Sequence, residues 1–85
     1  MPFYVYLLIN KKNDKLISYV GYTNNLEKRI ELHNNSKGAK FTRGKLWILA
    51  YKKKYLTKSK AMKEEYLLKK NYKKRFLIKK KFIKL

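Results

Sequence analysis

Residues 19–34 constrain this chain more than any other stretch. Tyr19-Val20-Gly21-Tyr22 is apolar and reads as the end of a strand that turns at Gly21. Leu26, Arg29, Ile30 and His33 then recur at the spacing of one helix face. Asn24, with Glu27 a turn later, reads as the capping pair that starts this helix, and Asn34-Asn35-Ser36 ends it. The apolar face of a small helix thus holds an arginine and the chain's only histidine. A guanidinium is costly to bury unless something negative meets it. Tyr19, Arg29 and His33 can each bind or process a phosphate.

The elements around this stretch follow from periodicity. Residues 3–9 are rich in β-branched and aromatic side chains and read as a first strand. Alternation sets Tyr4, Tyr6 and Leu8 on one face and Phe3, Val5, Leu7 and Ile9 on the other, so both faces are apolar and the strand is central. Residues 10–15 read as a polar hairpin turn, with Asn13-Asp14 suited to its unusual angles, and residues 16–22 as the returning strand. Antiparallel pairing would place Tyr6 and Tyr19 on neighbouring strands. Residues 36–45 read as a basic loop. Its charge and one stacking ring make Lys37, Lys40, Phe41, Arg43 and Lys45 the candidate nucleic-acid contacts.

Residues 46–51 read as a third strand, with Lys52-Lys53-Lys54 at or past its exposed end. Thr57 or Ser59 can cap a second helix over residues 60–70, with Ala61, Glu65 and Leu68 on one face. Residues 72–85 read as a third amphipathic helix, or a helix followed by a frayed end. The sum is one α/β (α+β) domain over residues 1–85: a three-stranded antiparallel sheet flanked by about three helices. Its core spans about 2–72, with a basic helical tail over 73–85.

Charge indicates the partner. Twenty-four lysines and arginines face five acidic residues, a net charge of +19 on 85 residues. Such a chain attracts polyanions, nucleic acid first. Abundant Lys, Asn, Ile, Tyr and Phe fit an A/T-rich coding bias, which makes lysine the default cation. The three arginines, Arg29, Arg43 and Arg75, therefore stand out. Arginine grips phosphate in two places, which lysine cannot copy. Absence of cysteine excludes disulfides and thiolate chemistry, and a single histidine argues against structural zinc. Residues 3–9 are too short and aromatic for a signal peptide, and no apolar run is long enough to span a bilayer. A cytoplasmic protein with no membrane partner is expected.

Phosphodiester hydrolysis needs a deprotonated nucleophile, donors for the phosphoryl oxygens and help for the leaving oxygen. Arg29 can hold the non-bridging oxygens. Glu65, on a partly apolar face in a chain this poor in acid, is the candidate ligand for one Mg2+ (or Mn2+) ion. Mg2+ keeps several waters and takes only one or two protein carboxylates. Tyr6 or Tyr19 can deprotonate water or relay its proton, the other orienting it, because nearby cations favour phenolate. His33 can assist proton transfer or bind phosphate.

In combination these residues resemble the GIY-YIG nuclease family, in its small stand-alone bacterial form. Tyr4-Val5-Tyr6 stands where the family has its first motif, with Tyr6 at the motif's tyrosine and Tyr4 in place of its glycine. Tyr19-Val20-Gly21 matches the second motif, with valine for isoleucine. Arg29 falls at the family's helix arginine, followed by His33-Asn34. Phe41-Thr42-Arg43 is similar to the loop before the third strand. Residues 59–66 resemble the helix of the metal-binding glutamate, aligned best with Glu65, and Asn71 is the candidate for a polar residue that many members carry after it. The resemblance covers about 2–72. It implies a compact α/β fold and a magnesium-dependent endonuclease in which a tyrosine activates water. It further implies nucleic acid as partner, DNA favoured over RNA, a role in DNA repair, and target choice that comes from this domain or from a protein partner. Two other functions fit the charge: a catalytically silent nucleic-acid-binding module of the same fold, and a basic ribosome-associated RNA-binding protein.

Overall fold

The computed structural model describes residues 2–12 and 15–83. Three strands, β1 (Phe3–Lys12), β2 (Lys15–Thr23) and β3 (Ile48–Tyr55), form one antiparallel sheet in the order β2-β1-β3. Helix α1 (Leu26–Asn34) lies between β2 and β3 in the chain; α2 (Lys58–Lys70) and α3 (Tyr72–Ile83) follow β3. This is the α+β architecture expected, and β1 is central because both its faces need cover.

Alternation along β1 sorts its side chains into two chambers. Val5, Leu7 and Ile9 pack with Val20, with Ala61 and Leu68 of α2, and with Ile78 and Phe82 of α3. Fully burying one such aliphatic side chain contributes roughly 1.5–3 kcal/mol, so this side holds the domain together. Tyr6 and Leu8 point the other way, toward Trp47, Tyr19, Leu49 and the Leu26 and Ile30 stripe of α1. The sheet therefore separates a core from a face that carries polar chemistry.

Local chemistry moves several boundaries. Gly21 is not a turn: it sits inside β2 opposite Tyr6, and the strand continues to Thr23. Asn25 rather than Asn24 caps α1, accepting from the Lys28 N–H at 3.1 Å. Glu27 occupies the first turn, where the helix dipole favours a carboxylate. Asn10 belongs to β1 rather than to the turn; it is buried and donates to the Leu46 carbonyl at 2.9 Å. The predicted turn residues Asn13 and Asp14 lie outside the described residues.

β3 starts after Trp47 and runs through Lys52, Lys53 and Lys54, which pair with Tyr6, Val5 and Tyr4. As an edge strand it tolerates, and is protected by, this row of lysines. A bulge at Ala50, between the partners of Leu7 and Leu8, corrects its register. Thr57, not Ser59, caps α2 by accepting from the Lys60 N–H at 3.2 Å, so α2 begins at Lys58. Asn71 then ends α2, and its side chain accepts from the Lys74 N–H at 3.0 Å to start α3. Asn71 is thus a helix junction. The predicted helix end at Lys84 and Leu85 lies outside the described residues. Among the described residues no helix is long and apolar enough to cross a membrane.

Candidate active site

Helix α1 brings its buried face over the two tyrosines. Tyr6, on the central strand, is 1% exposed. Its ring has room only because residue 21 is glycine: a Cβ there would lie 2.5 Å from the Tyr6 hydroxyl oxygen and 2.6 Å from Cζ. The hydroxyl lies 2.8 Å from His33 Nε2. His33 is fully buried, and its Nδ1 lies 2.8 Å from Thr42 Oγ1. Gly38 leaves space for this ring, since a Cβ there would collide with Nδ1. Tyr19, half-buried beside Leu8, completes the cluster with its ring centroid 5.0 Å from that of His33 and 6.5 Å from that of Tyr6.

Arg29 lies one turn before His33 on α1, half-buried, with its guanidinium against the Tyr6 and Tyr19 phenols. Its Nε is buried and finds no hydrogen-bond partner among the described residues. Orphaned buried donors are rare in folded proteins. Contact with Tyr6 raises the arginine's pKa further, so its charge is permanent. Burial pushes the Tyr6 phenol above its ordinary value; Arg29 pulls it back, and the charges of Tyr19 and Glu65 add to the rise. Burial, and then the Arg29 charge, hold His33 below its ordinary value of 6.5. At neutral pH the site therefore holds a protonated phenol, a neutral imidazole and a guanidinium whose buried Nε is unpaired among the described residues.

The basic loop is better anchored than its composition suggests. A single turn of 3-10 helix, Lys40–Thr42, buries Thr42 beneath it. The Trp47 indole donates to the Thr42 carbonyl at 3.0 Å. Asn34 grips the Trp47 backbone from α1, accepting its N–H at 2.6 Å and donating to its carbonyl at 3.2 Å. Of the candidate contacts, Lys37, Lys40, Phe41 and Arg43 are exposed. Phe41 stacks on Tyr19 with centroids 6.2 Å apart, which joins the loop to the site. Lys45 is half-buried; its Nζ donates to the Phe41 carbonyl at 3.3 Å and sits over the Phe41 ring. Sequence reasoning passed over Thr42, Gly38 and Asn34 as site residues. The one usable signal was that a buried histidine needs partners on both ring nitrogens.

Glu65 sits on α2, across the sheet from α1, yet its charge reaches the Tyr6 hydroxyl. Its carboxylate pairs with Lys69 Nζ at 3.3 Å rather than with Arg29. Among the described residues no three His, Cys, Asp or Glu side chains gather as a metal cage. The donor set thus fits one hard cation held by a single carboxylate, waters and substrate oxygens, and does not fit a multi-carboxylate two-metal centre.

Residues 2–81 match the GIY-YIG catalytic domain, and the chain belongs to the GIY-YIG family, whose domain is of the nuclease type. Within that family it is similar to UPF0213 proteins. One from Oceanobacillus iheyensis is 49% identical over 67 residues, covering 78% of this chain and 74% of that protein. Another, from Clostridium perfringens, is 48% identical over 68 residues, covering 79% and 70% respectively. The solution NMR structure of a UPF0213 protein from Bacillus halodurans is 35% identical; the match covers 93% of this chain and 84% of that one with a TM-score of 0.49.

Proposed function

We propose that this chain is a metal-dependent endonuclease that hydrolyses phosphodiester bonds in DNA. One observation carries the reading: the Arg29 guanidinium, with a buried donor left free, stands beside a phenol that has its own proton acceptor. An anionic oxygen supplies what that donor lacks. Arg29 holds the phosphate through non-bridging oxygens, and its permanent charge opposes the negative charge of the transition state. Tyr6 passes its proton to His33 Nε2, and the Tyr6 phenolate takes up the proton of the attacking water, directly or relayed by Tyr19, the less buried of the two phenols. The resulting hydroxide attacks phosphorus as the bond to the leaving oxygen breaks. Bound phosphate also offsets the Arg29 charge that weakens His33 as a base, so substrate itself favours the transfer. Tyr19 orients Arg29 and Tyr6. Glu65 would hold one Mg2+ or Mn2+ ion, which when bound supplies Lewis-acid help to the leaving oxygen. Lys37, Lys40, Phe41, Arg43 and Lys45 bind the flanking strand, and target choice comes from this surface or from a protein partner.

One observation favours a second reading. Lys69 already occupies the lone carboxylate, as it would in a silent nucleic-acid-binding module of the same fold. A cleavage panel with Mg2+ or Mn2+ separates the two, using nicked, flapped, branched and single-stranded DNA and matching RNA. Cleavage is expected on at least one DNA, lost in Glu65→Gln and reduced about 10²–10³-fold in Arg29→Ala, with affinity little changed. Tight binding without metal-dependent cleavage of any substrate rejects the nuclease and leaves the module.

A further inference from the structure

The hydrogen bonds around His33 run in one direction, and that direction can be read without seeing a hydrogen. A threonine hydroxyl has one proton to donate. Thr42 Oγ1 lies 2.8 Å from the Ala39 carbonyl oxygen, which can only accept, so the hydroxyl proton points there. The 2.8 Å contact between Thr42 Oγ1 and His33 Nδ1 must then be donated by the ring. A neutral imidazole protonated at Nδ1 carries its lone pair on Nε2, so Tyr6 donates across the remaining 2.8 Å contact.

We infer that Thr42 is a positioning residue: through the Ala39 carbonyl it selects the His33 tautomer whose Nε2 can accept the Tyr6 proton. Its effect on rate rests on the nuclease reading; the tautomer assignment does not. The opposite tautomer would present an Nε2–H to Tyr6, and the phenol would have nowhere to send its proton. Both residues are fully buried, so water offers no substitute partner. The Ala39 carbonyl that fixes the hydroxyl also accepts the Thr42 N–H at 3.0 Å, and Trp47 holds the Thr42 carbonyl. The device is therefore the whole 3-10 turn. Lys40 and Phe41 stand exposed on that same turn, so the segment offered to nucleic acid is also the one that orients the base.

Nitrogen-15 NMR of the full chain at neutral pH tests this without any substrate. The expected spectrum has a pyrrole-like Nδ1 and a pyridine-like Nε2, with a slowly exchanging Nδ1–H proton close to the Thr42 methyl. A ring protonated at Nε2, or an Nδ1–H with no contact to Thr42, overturns the inference. Thr42→Val keeps the shape and removes the hydroxyl. It is expected to lose the single tautomer and about 10–100-fold in kcat with KM unchanged, less than the roughly 10²–10⁴-fold that a positioned acid–base group contributes outright. Thr42→Ser is expected to retain both. A folded Thr42→Val with the native tautomer and rate also overturns the inference. Should that variant fail to fold, the native spectrum and the serine variant decide alone. Failure of every cleavage assay would reject the nuclease and leave the ring-nitrogen pattern to judge Thr42.

Discussion

Gly21→Ala tests the link between register and site. On backbone grounds the substitution should help. Gly21 lies in a regular strand, and replacing glycine where the backbone allows it stabilises by about 0.4–1 kcal/mol. Contacts reverse the sign. The new methyl would stand 2.5 Å from the Tyr6 hydroxyl oxygen and 2.6 Å from Cζ, and Tyr6 is walled in by its neighbours. Overpacking of this kind costs about 1–3 kcal/mol. Pushing the ring aside also strains the buried bond to His33, and a buried group left unsatisfied costs about 1–3 kcal/mol more. A net loss of about 2–4 kcal/mol corresponds to a melting temperature lower by roughly 10–25 °C for a domain of this size. Thermal unfolding followed by circular dichroism measures it. A Tyr6→Phe background removes the nearest clashing atom, so Gly21→Ala should cost about 1 kcal/mol less there. An alanine variant as stable as the parent, or strictly additive effects in the double mutant, would refute the steric account.

Four further outcomes follow. Below pH 6.5 the unfolded chain protonates His33 while the folded chain, with its pKa lowered, resists. Stability present above that value is therefore lost as pH falls toward the folded pKa, and His33→Gln should flatten the slope of melting temperature below pH 6.5. Asn34→Ala strips two bonds from the Trp47 backbone and should cost about 1–3 kcal/mol in denaturant unfolding. Lys40→Ala should lower the salt dependence of DNA binding by about one unit of slope and leave kcat unchanged; titration across ionic strengths reads this. Arg29→Met should lower cleavage about 10²–10³-fold while leaving unfolding stability within about 1 kcal/mol of the parent or above it.

Much of this was legible because period-two alternation is a strong signal. It placed Tyr6 against Val5 on opposite faces of a central strand and set Tyr19 beside it. The helical spacing likewise brought Arg29 and His33 to the buried side of α1. What alternation could not convey was contact across the sequence. Gly21 looks like a turn because glycine usually is one, yet here it serves as empty space for a ring that lies in another strand. Lys52, Lys53 and Lys54 looked too charged for a strand; an edge position, which pairing alone determines, makes them suitable. Thr42 is a small polar residue in a basic loop, and nothing near it in the chain announces a buried histidine. Glu65 could be singled out by scarcity of acid, but its pairing with Lys69 was not anticipated.

Arg29 differs from every other member of the cluster in what its loss should do to the fold. Tyr6, His33 and Thr42 satisfy one another, so removing any of them strands a buried partner. The Arg29 Nε satisfies nothing within the described chain and is itself unsatisfied. Its charge also sits half out of water, a cost that an apolar side chain of similar length would not carry. Selection for stability alone would favour methionine there, on the side of the helix where Leu26 and Ile30 already pack. An arginine that lowers the stability of the fold would find its use outside the fold, and a phosphate is a group whose charge and geometry meet a guanidinium. Chemical unfolding of Arg29→Met beside the parent, with cleavage measured on the same samples, separates the two roles. A large loss of stability would mean that Arg29 is structural cement, and the phosphate-binding role would lose its main support.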